Sequence, residues 1–250
     1  VRIAYDNEID NASTITAGTE LSGFEIDNVQ DQRLGTIWAS STATTQTVTI
    51  TYASTTATSI QTLAILGHNI TTACTVTVSG NSEASWGSPA FTTTLTVLSD
   101  YKPIVKYLDD ALQYKYWQFA FSGQASLEVG RLWQSGYIQI TPSSTLDFSV
   151  VKKRSDIVIY GKHRQKFSDE GVGWRQVNLS FPPTATTTLE LVQTCIDTVG
   201  NHSSFIFCNF DDIRDYEIVE PLYGSFVGDV SFSHTIGVKF SYSLTIEEDK

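Results

Sequence analysis

Methionine is absent, proline is scarce at six residues, and basic side chains number only 16 against 27 acidic ones in 250 residues. The resulting net charge of −11 argues against a general binder of DNA or RNA, whose affinity rests on neutralising phosphates. Cysteine is limited to Cys74, Cys195 and Cys208. An odd count at wide, irregular spacing makes no disulfide framework and no zinc pattern. Each sits among apolar or threonine-rich neighbours, so all three are expected to be small buried hydrophobes. No stretch is long and apolar enough to cross a bilayer, and no leader pattern opens the sequence, so no membrane partner is expected. Long runs of Ala, Leu, Glu and Lys at helical spacing are missing as well.

Signatures of catalysis are also missing. There is no glycine-rich phosphate loop, no Gly-x-Ser-x-Gly elbow and no His-Glu-x-x-His pair. His68, His163, His202 and His234 are widely separated. No catalytic residue and no cofactor can be assigned, and the expectation is a protein that is not an enzyme. Asp109-Asp110 and Asp211-Asp212 read as acidic turns, and neither belongs to a calcium-loop ligand series. The sequons at Asn11, Asn69, Asn178 and Asn201 carry little weight in so Ser/Thr-rich a chain.

What is present is a β vocabulary. Thr and Ser dominate, with 13 Phe, 11 Tyr and 5 Trp, and Thr, Val, Ile, Tyr and Phe suit a pleated, half-buried surface. Thr47 to Tyr52 alternates strictly, with Val48, Ile50 and Tyr52 on one face. Ile60 to Leu66 is apolar enough for a strand covered on both faces. Thr75 to Ser79, Tyr116 to Phe121 and Leu127 to Ile140 add strands at roughly ten-residue spacing, the pattern of a sandwich or barrel. Thr141-Pro142-Ser143-Ser144 reads as a boundary. The pattern restarts with Phe148 to Val151, Ile157 to Tyr160 and Trp174 to Phe181. One helix is predicted near 186–199, where Leu189, Val192, Cys195, Ile196 and Val199 recur at helical spacing and Gly200-Asn201 ends the run. Strands over 205–208, 224–230 and 238–246 finish the chain. The fold class expected is therefore all-β with one short helix, in two domains, 1–140 and 146–250. A chain of residues 1–142 is expected to fold by itself.

Three local features stand out. Trp38 opens a strand after a polar turn and reads as a core residue. Trp86 lies in the loop Glu83-Ala84-Ser85-Trp86-Gly87-Ser88-Pro89, where an aromatic ring could meet a ligand or partner. From Lys152 to Arg175 the chain carries seven basic and three acidic side chains, +4 within an acidic protein. That stretch is either a solvated strand pair with its loop or a contact for an acidic neighbouring subunit.

The segment Asn28 to Ser40, with Asp31 in its turn and Trp38 at its end, resembles the opening motif of discoidin (coagulation factor 5/8 C-type, galactose-binding-like) domains. Ile60 to Asn69, Tyr116-Trp117-Gln118-Phe119 and Ser126 to Trp133 follow in the order of that family. Tyr-Trp followed by Glu-Val-Gly-Arg-Leu-Trp is similar to discoidin-like domains in minor or distal tail proteins of tailed bacteriophages. Val177 to Phe181, the helix, Phe205 to Cys208 and the terminal Phe240 to Glu248 resemble the carboxy-terminal part of such proteins.

The resemblance implies a jelly-roll-like β-sandwich over 1–140, followed by a tail-tube-like β-barrel or sandwich over 146–250. It implies a structural subunit of a phage tail tip or baseplate, assembled in the bacterial cytoplasm into the virion. Its partners would be copies of itself in a ring, with a hexamer as the candidate size, and other tail-tube, tail-tip and adhesion proteins. Lys152, Lys153 and Arg154 would meet Asp211, Asp212 or the terminal Glu247, Glu248 and Asp249 of a neighbour. The alternative is a carbohydrate-binding module for host or environmental glycans. Some discoidin domains bind sugars or calcium through loops, and Asp31 and Glu128 sit at positions resembling those. The disulfide that often joins the ends of animal discoidin domains has no counterpart, since Cys74 is internal.

Overall fold

The computed structural model describes residues 1–54, 59–98, 102–140, 149–155, 157–160, 166–169, 171–208, 221–236 and 239–249. The chain divides into two compact units, neither continuous in sequence. One comprises Arg2–Gln139 with Phe205–Leu222, the other Ile140–Ser204 with Tyr223–Asp249. In chain order the strands are β1 (Arg2–Ala4), β2 (Thr14–Ala17), β3 (Trp38–Ala39), β4 (Thr45–Thr51), β5 (Ile60–His68), β6 (Thr75–Asn81), β7 (Phe91–Leu95), β8 (Ile104–Leu112), β9 (Tyr116–Ser122), β10 (Glu128–Ser135) and β11 (Ile138–Gln139). They continue with β12 (Ser149–Arg154), β13 (Ile157–Tyr160), β14 (Lys166–Asp169), β15 (Gly173–Thr184), the helix α1 (Thr186–Val199), β16 (Phe205–Cys208), β17 (Leu222–Phe226), β18 (Phe232–Ile236) and β19 (Lys239–Glu248). The protein is all-β with one α-helix among the described residues, as its composition predicts.

The first unit is a β-sandwich. Its five-stranded sheet runs β2-β4-β9-β6-β7 and its four-stranded sheet β3-β10-β5-β8, both antiparallel. Alternation sets the inner face of the first sheet. Val48 and Val78 both lie opposite Phe119, Ile50 lies opposite Trp117 and Val76 opposite Phe121, and all are fully buried. Leu63, Ile65, Val129 and Leu132 from the other sheet close the same core. Aromatic and β-branched neighbours across strands are the stabilising unit of such a sheet. The apolar run in β5 is buried over nearly its whole length, as a centrally placed strand requires.

Two 3₁₀ segments, Glu8–Asn11 and Ile26–Gln30, pack on β10 and explain how that strand tolerates polar residues. Arg131 is 2% exposed. It donates to the Asp10 carboxylate at 2.6 Å and to the Gln30 carbonyl at 2.7 Å. Asn7 donates to the Leu132 carbonyl and accepts from the Gln134 amide, both at 3.0 Å. Tyr52 Oη–H donates to Gln134 Oε1 at 2.7 Å. A buried cation survives only when paired and hydrogen-bonded, and these contacts supply that pairing.

A further short ladder, part of an eight-stranded sheet, belongs to this unit. β1 lies between β11 and β16, with Ile3 opposite Ile138 on one side and Phe207 on the other. A single cut near residue 141 therefore does not delimit the unit, because β16 comes from the second half of the sequence.

In the second unit β15 is flanked by β12 and β19. β19 also pairs with β18 through its first half and β17 through its second. Val177, Leu179 and Phe181 face Ile246, Leu244 and Tyr242 on one buried surface, where the Phe181 and Tyr242 rings stack at 4.6 Å. The opposite face is polar: Ser180 and Ser243 share a hydrogen bond, and Thr245 donates to Asn178. The helix packs against β19 and buries Leu189, Val192, Cys195 and Val199. Gly200 ends it with φ +56°, a conformation that glycine adopts without a Cβ clash. All three cysteines are free and buried. Burial pushes the Cys195 thiol up to about 12, so it acts as a hydrophobe. No helix among the described residues is long and apolar enough to cross a membrane.

Candidate functional site

Asp31 and Glu128 come to the same end of the sandwich. Asp31 terminates the second 3₁₀ segment, and the loop after it lies directly on β5 and β10. Gly67 and Gly130 permit that approach. A Cβ on Gly130 would stand 2.3 Å from the Leu34 carbonyl oxygen, and one on Gly67, already at φ +58°, would stand 2.9 Å from Leu34 Cβ. Glu128 opens β10 with its side chain exposed.

The carboxylate of Asp31 is committed, however. Arg33 grips it with Nε at 3.0 Å and Nη2 at 2.6 Å, and the Arg33 amide adds a bond of 2.8 Å. These donors hold the Asp31 carboxyl well below the usual range. Glu128 contributes backbone instead: its N–H donates to Asn69 Oδ1 at 2.9 Å and its carbonyl accepts from the Asn69 amide. Asn69 and Gln124 brace this loop end, with Gln124 Nε2 donating to the Asn69 carbonyl and Gln124 Oε1 accepting from the Thr71 amide. Among the described residues no group of three His, Cys, Asp or Glu side chains could hold a metal ion. The arrangement orders loops.

His68 ends β5 beside this network. Its Nδ1 accepts from the Ile70 amide at 3.1 Å, and its Nε2 meets the Lys102 carbonyl at 2.8 Å. A carbonyl only accepts, so the proton sits on Nε2 and the ring is neutral. Burial pushes the imidazole down to about 4. A base whose folded pKa lies below its unfolded value of about 6.5 contributes stability that is complete above that value and lost as pH falls toward 4. Between pH 7.5 and 4.5 the wild type should lose roughly 2–3 kcal/mol more than His68→Gln. Urea unfolding of both proteins at the two pH values measures it. Equal losses would mean that the ring titrates normally.

At the other end of the five-stranded sheet, residues 82–90 join β6 to β7 and carry Trp86, which is half-buried. Asn81 braces the loop, donating from Nδ2 to the Ser85 carbonyl at 2.7 Å and accepting from the Ser82 amide at 2.9 Å. An aromatic floor lies under the adjoining strands. Phe91 stacks on Tyr114 at 6.5 Å, and Trp117 meets both rings edge-on at 5.9 and 5.7 Å. The neighbouring Lys115 ammonium lies 5.3 Å from the Tyr116 ring centroid. Asn81 and Tyr116 are cross-strand partners.

The basic triplet occupies the second unit. Lys152 and Arg154 are exposed and Lys153 is half-exposed, all on β12. The strand continues through the triplet, beyond the Val151 at which the sequence pattern weakens. Arg175, opposite Lys152, is neutralised by Glu248, which accepts from Nη2 at 2.6 Å and from Nε at 3.0 Å. Glu247 accepts from the Trp174 indole, and Asp249 accepts from the Ser204 and Ser225 hydroxyls. The terminal acids are thus engaged by side chains of their own unit. Asp211 and Asp212 lie outside the described residues. Asp109 and Asp110 are exposed on β8. Sequence reasoning missed Arg131 and its partners. The signal was a lone cation inside the apolar stretch Val129-Gly130-Arg131-Leu132-Trp133.

No family model matches the sequence, and no curated protein matches it. Solved structures of carbohydrate-binding modules are similar to about half of the chain. Chitosan-binding module 1 of a chitosanase/glucanase from a Paenibacillus species is 20% identical, over 53% of this chain and 100% of that one, with a TM-score of 0.40. A family 32 module from C. perfringens in complex with galactose is 14% identical over 55% and 100%, with a TM-score of 0.41. A fucose-binding module from Streptococcus pneumoniae is 11% identical over 54% and 100%, with a TM-score of 0.42.

Proposed function

We propose that this protein acts by binding rather than catalysis, and that its sandwich unit attaches it to a carbohydrate through the loop of Trp86. The carrying observation is a half-buried tryptophan on a loop held by both ends of the Asn81 amide. A flat aromatic face with one side open to water suits the C–H face of a sugar ring. The bracing means that little loop entropy is lost on binding. Chitosan oligosaccharides, galactose and fucose, the sugars of the modules compared above, are the first probes. Trp86→Ala should weaken binding at least tenfold, about 1.4 kcal/mol, with an unchanged melting temperature. Calorimetric titration measures this. Failure of the wild type to bind any sugar on a broad glycan array, or an unaffected variant, would sink the reading.

A second reading is favoured by a different observation, the open and solvated strand β12 at the rim of the second unit. In it the chain is a structural subunit of a bacteriophage tail tip or baseplate, forming a ring that joins the tail tube to the adhesion apparatus. The two readings are compatible, and the oligomeric state of the purified chain tests the second. A ring subunit associates with itself, whereas a glycan module can act as a monomer.

A further inference from the structure

Strand β12 is unusual within this protein. It pairs with β15 over six consecutive positions, from Ser149 opposite Asn178 to Arg154 opposite Gly173, without a register shift. Among the described residues it pairs with no other strand. It is also solvated on both faces: Val150 is 40% and Val151 43% exposed, although they sit beside Val177 and Gln176 on opposite sides of the sheet. Its neighbour β15 buries Val177, Leu179 and Phe181. Two β-branched residues at a regular, proline-free edge, left in water on both faces, match a strand whose remaining cover comes from another molecule.

We infer that β12 of one copy docks on the acidic edge strand β8 of a second copy, with Lys152, Lys153 and Arg154 facing Asp109 and Asp110. Charge identifies the occupant. The chain carries −11 overall, and β12 concentrates three of its 16 basic residues in succession. β8 is likewise an outer strand, ending the order β3-β10-β5-β8. Its ladder with β5 jumps from Tyr107, opposite Thr62, to Leu112, opposite Ile60, so Leu108 to Ala111 bulge out of register. Asp109, Asp110 and Ala111 are exposed there. An antiparallel approach puts the triplet beside Asp110 and Asp109 while Val150 and Val151 meet Ala111 and the half-buried Leu112. Different patches meet, so the contact is head-to-tail and propagates to a closed ring or an open filament. Like charges at a mismatched edge would reject other alignments.

The inference deepens the assembly reading and is independent of the glycan reading. The test uses the full chain, with light scattering and sedimentation velocity across a concentration series. The wild type should self-associate, more weakly as salt rises. The triple variant Lys152→Glu, Lys153→Glu, Arg154→Glu should associate at least tenfold more weakly. The pair Asp109→Lys, Asp110→Lys, placed in the other unit, should do the same. Mixing the two variants should restore association in assemblies where they alternate, because the reversed β12 of one meets the reversed β8 of the other and their two unchanged edges also remain complementary. Circular dichroism and melting check that each variant folds, and the Asp pair serves if the triple variant does not. Wild-type association undiminished in a folded variant overturns this contact while leaving assembly intact. A wild type that stays monomeric at every concentration overturns both.

Discussion

Replacing Trp38 by alanine is expected to destabilise the sandwich unit by about 3–5 kcal/mol, the range for removing a large aromatic from a packed core. The side chain is fully buried on β3, opposite Val129 of β10. Its ring reaches across the sandwich to Phe121 of β9, with centroids 6.2 Å apart, so it fills space between the two sheets. Its indole N–H donates to the Thr19 carbonyl at 3.2 Å. Alanine would leave a cavity and also strip that carbonyl of its donor. Trp38→Phe keeps most of the volume and loses only the hydrogen bond, so about 1–2 kcal/mol is expected from the unpaired group and imperfect packing. Urea unfolding followed by circular dichroism gives both values. A loss below about 1 kcal/mol for Trp38→Ala would place the ring outside the core.

Trp38 also marks what could be read from sequence. Its core role follows from a local pattern, an aromatic opening a strand among alternating segments. The inner faces of β4, β6 and β9 follow in the same way, because a period of two is dictated by strand geometry alone. The helix is found over Thr186–Val199, where the apolar spacing places it. Interactions between distant parts were not legible. Arg131 needs Asp10, 121 residues away, and nothing in either neighbourhood announces the other. Glu247, Glu248 and Asp249 look like a solvated acidic tail, yet their partners Trp174, Arg175, Ser204 and Ser225 come from other strands and loops. Asp31 is the reverse case. Its partner Arg33 lies two residues on, but a motif that resembles a ligand loop looks the same whether its carboxylate faces a cation or its own arginine. Trp86 is legible as a loop aromatic, whereas its bracing depends on a loop path that brings the Ser85 carbonyl back to Asn81.

A chain ending at residue 142 is expected to lose independent folding of the sandwich unit, although its first 140 residues read as a complete domain. The missing piece is β16. Phe205, Ile206 and Phe207 are fully buried, and Phe207 and Ile206 lie opposite Ile3 and Ala4 of β1. Burying side chains of this kind contributes roughly 1.5–3 kcal/mol each, so about 5–9 kcal/mol leaves with the strand. That is comparable to the whole stability of a typical domain, about 5–15 kcal/mol. The truncation also bares one hydrogen-bonding edge of β1, next to the buried Ile3, and an exposed apolar edge templates aggregation. Two comparisons with the full chain isolate the cause: residues 1–142 alone, and the same residues carrying Ser203–Cys208 on a flexible Gly/Ser linker. The first should aggregate or melt without cooperativity. The second should regain a cooperative transition, because the restored strand needs only to reach β1 and the linker's entropy cost grows slowly with its length. A cooperative melt of the short chain at the temperature of the full protein's sandwich transition would show that β16 adds nothing to this unit, and that the core between the two sheets suffices to hold it.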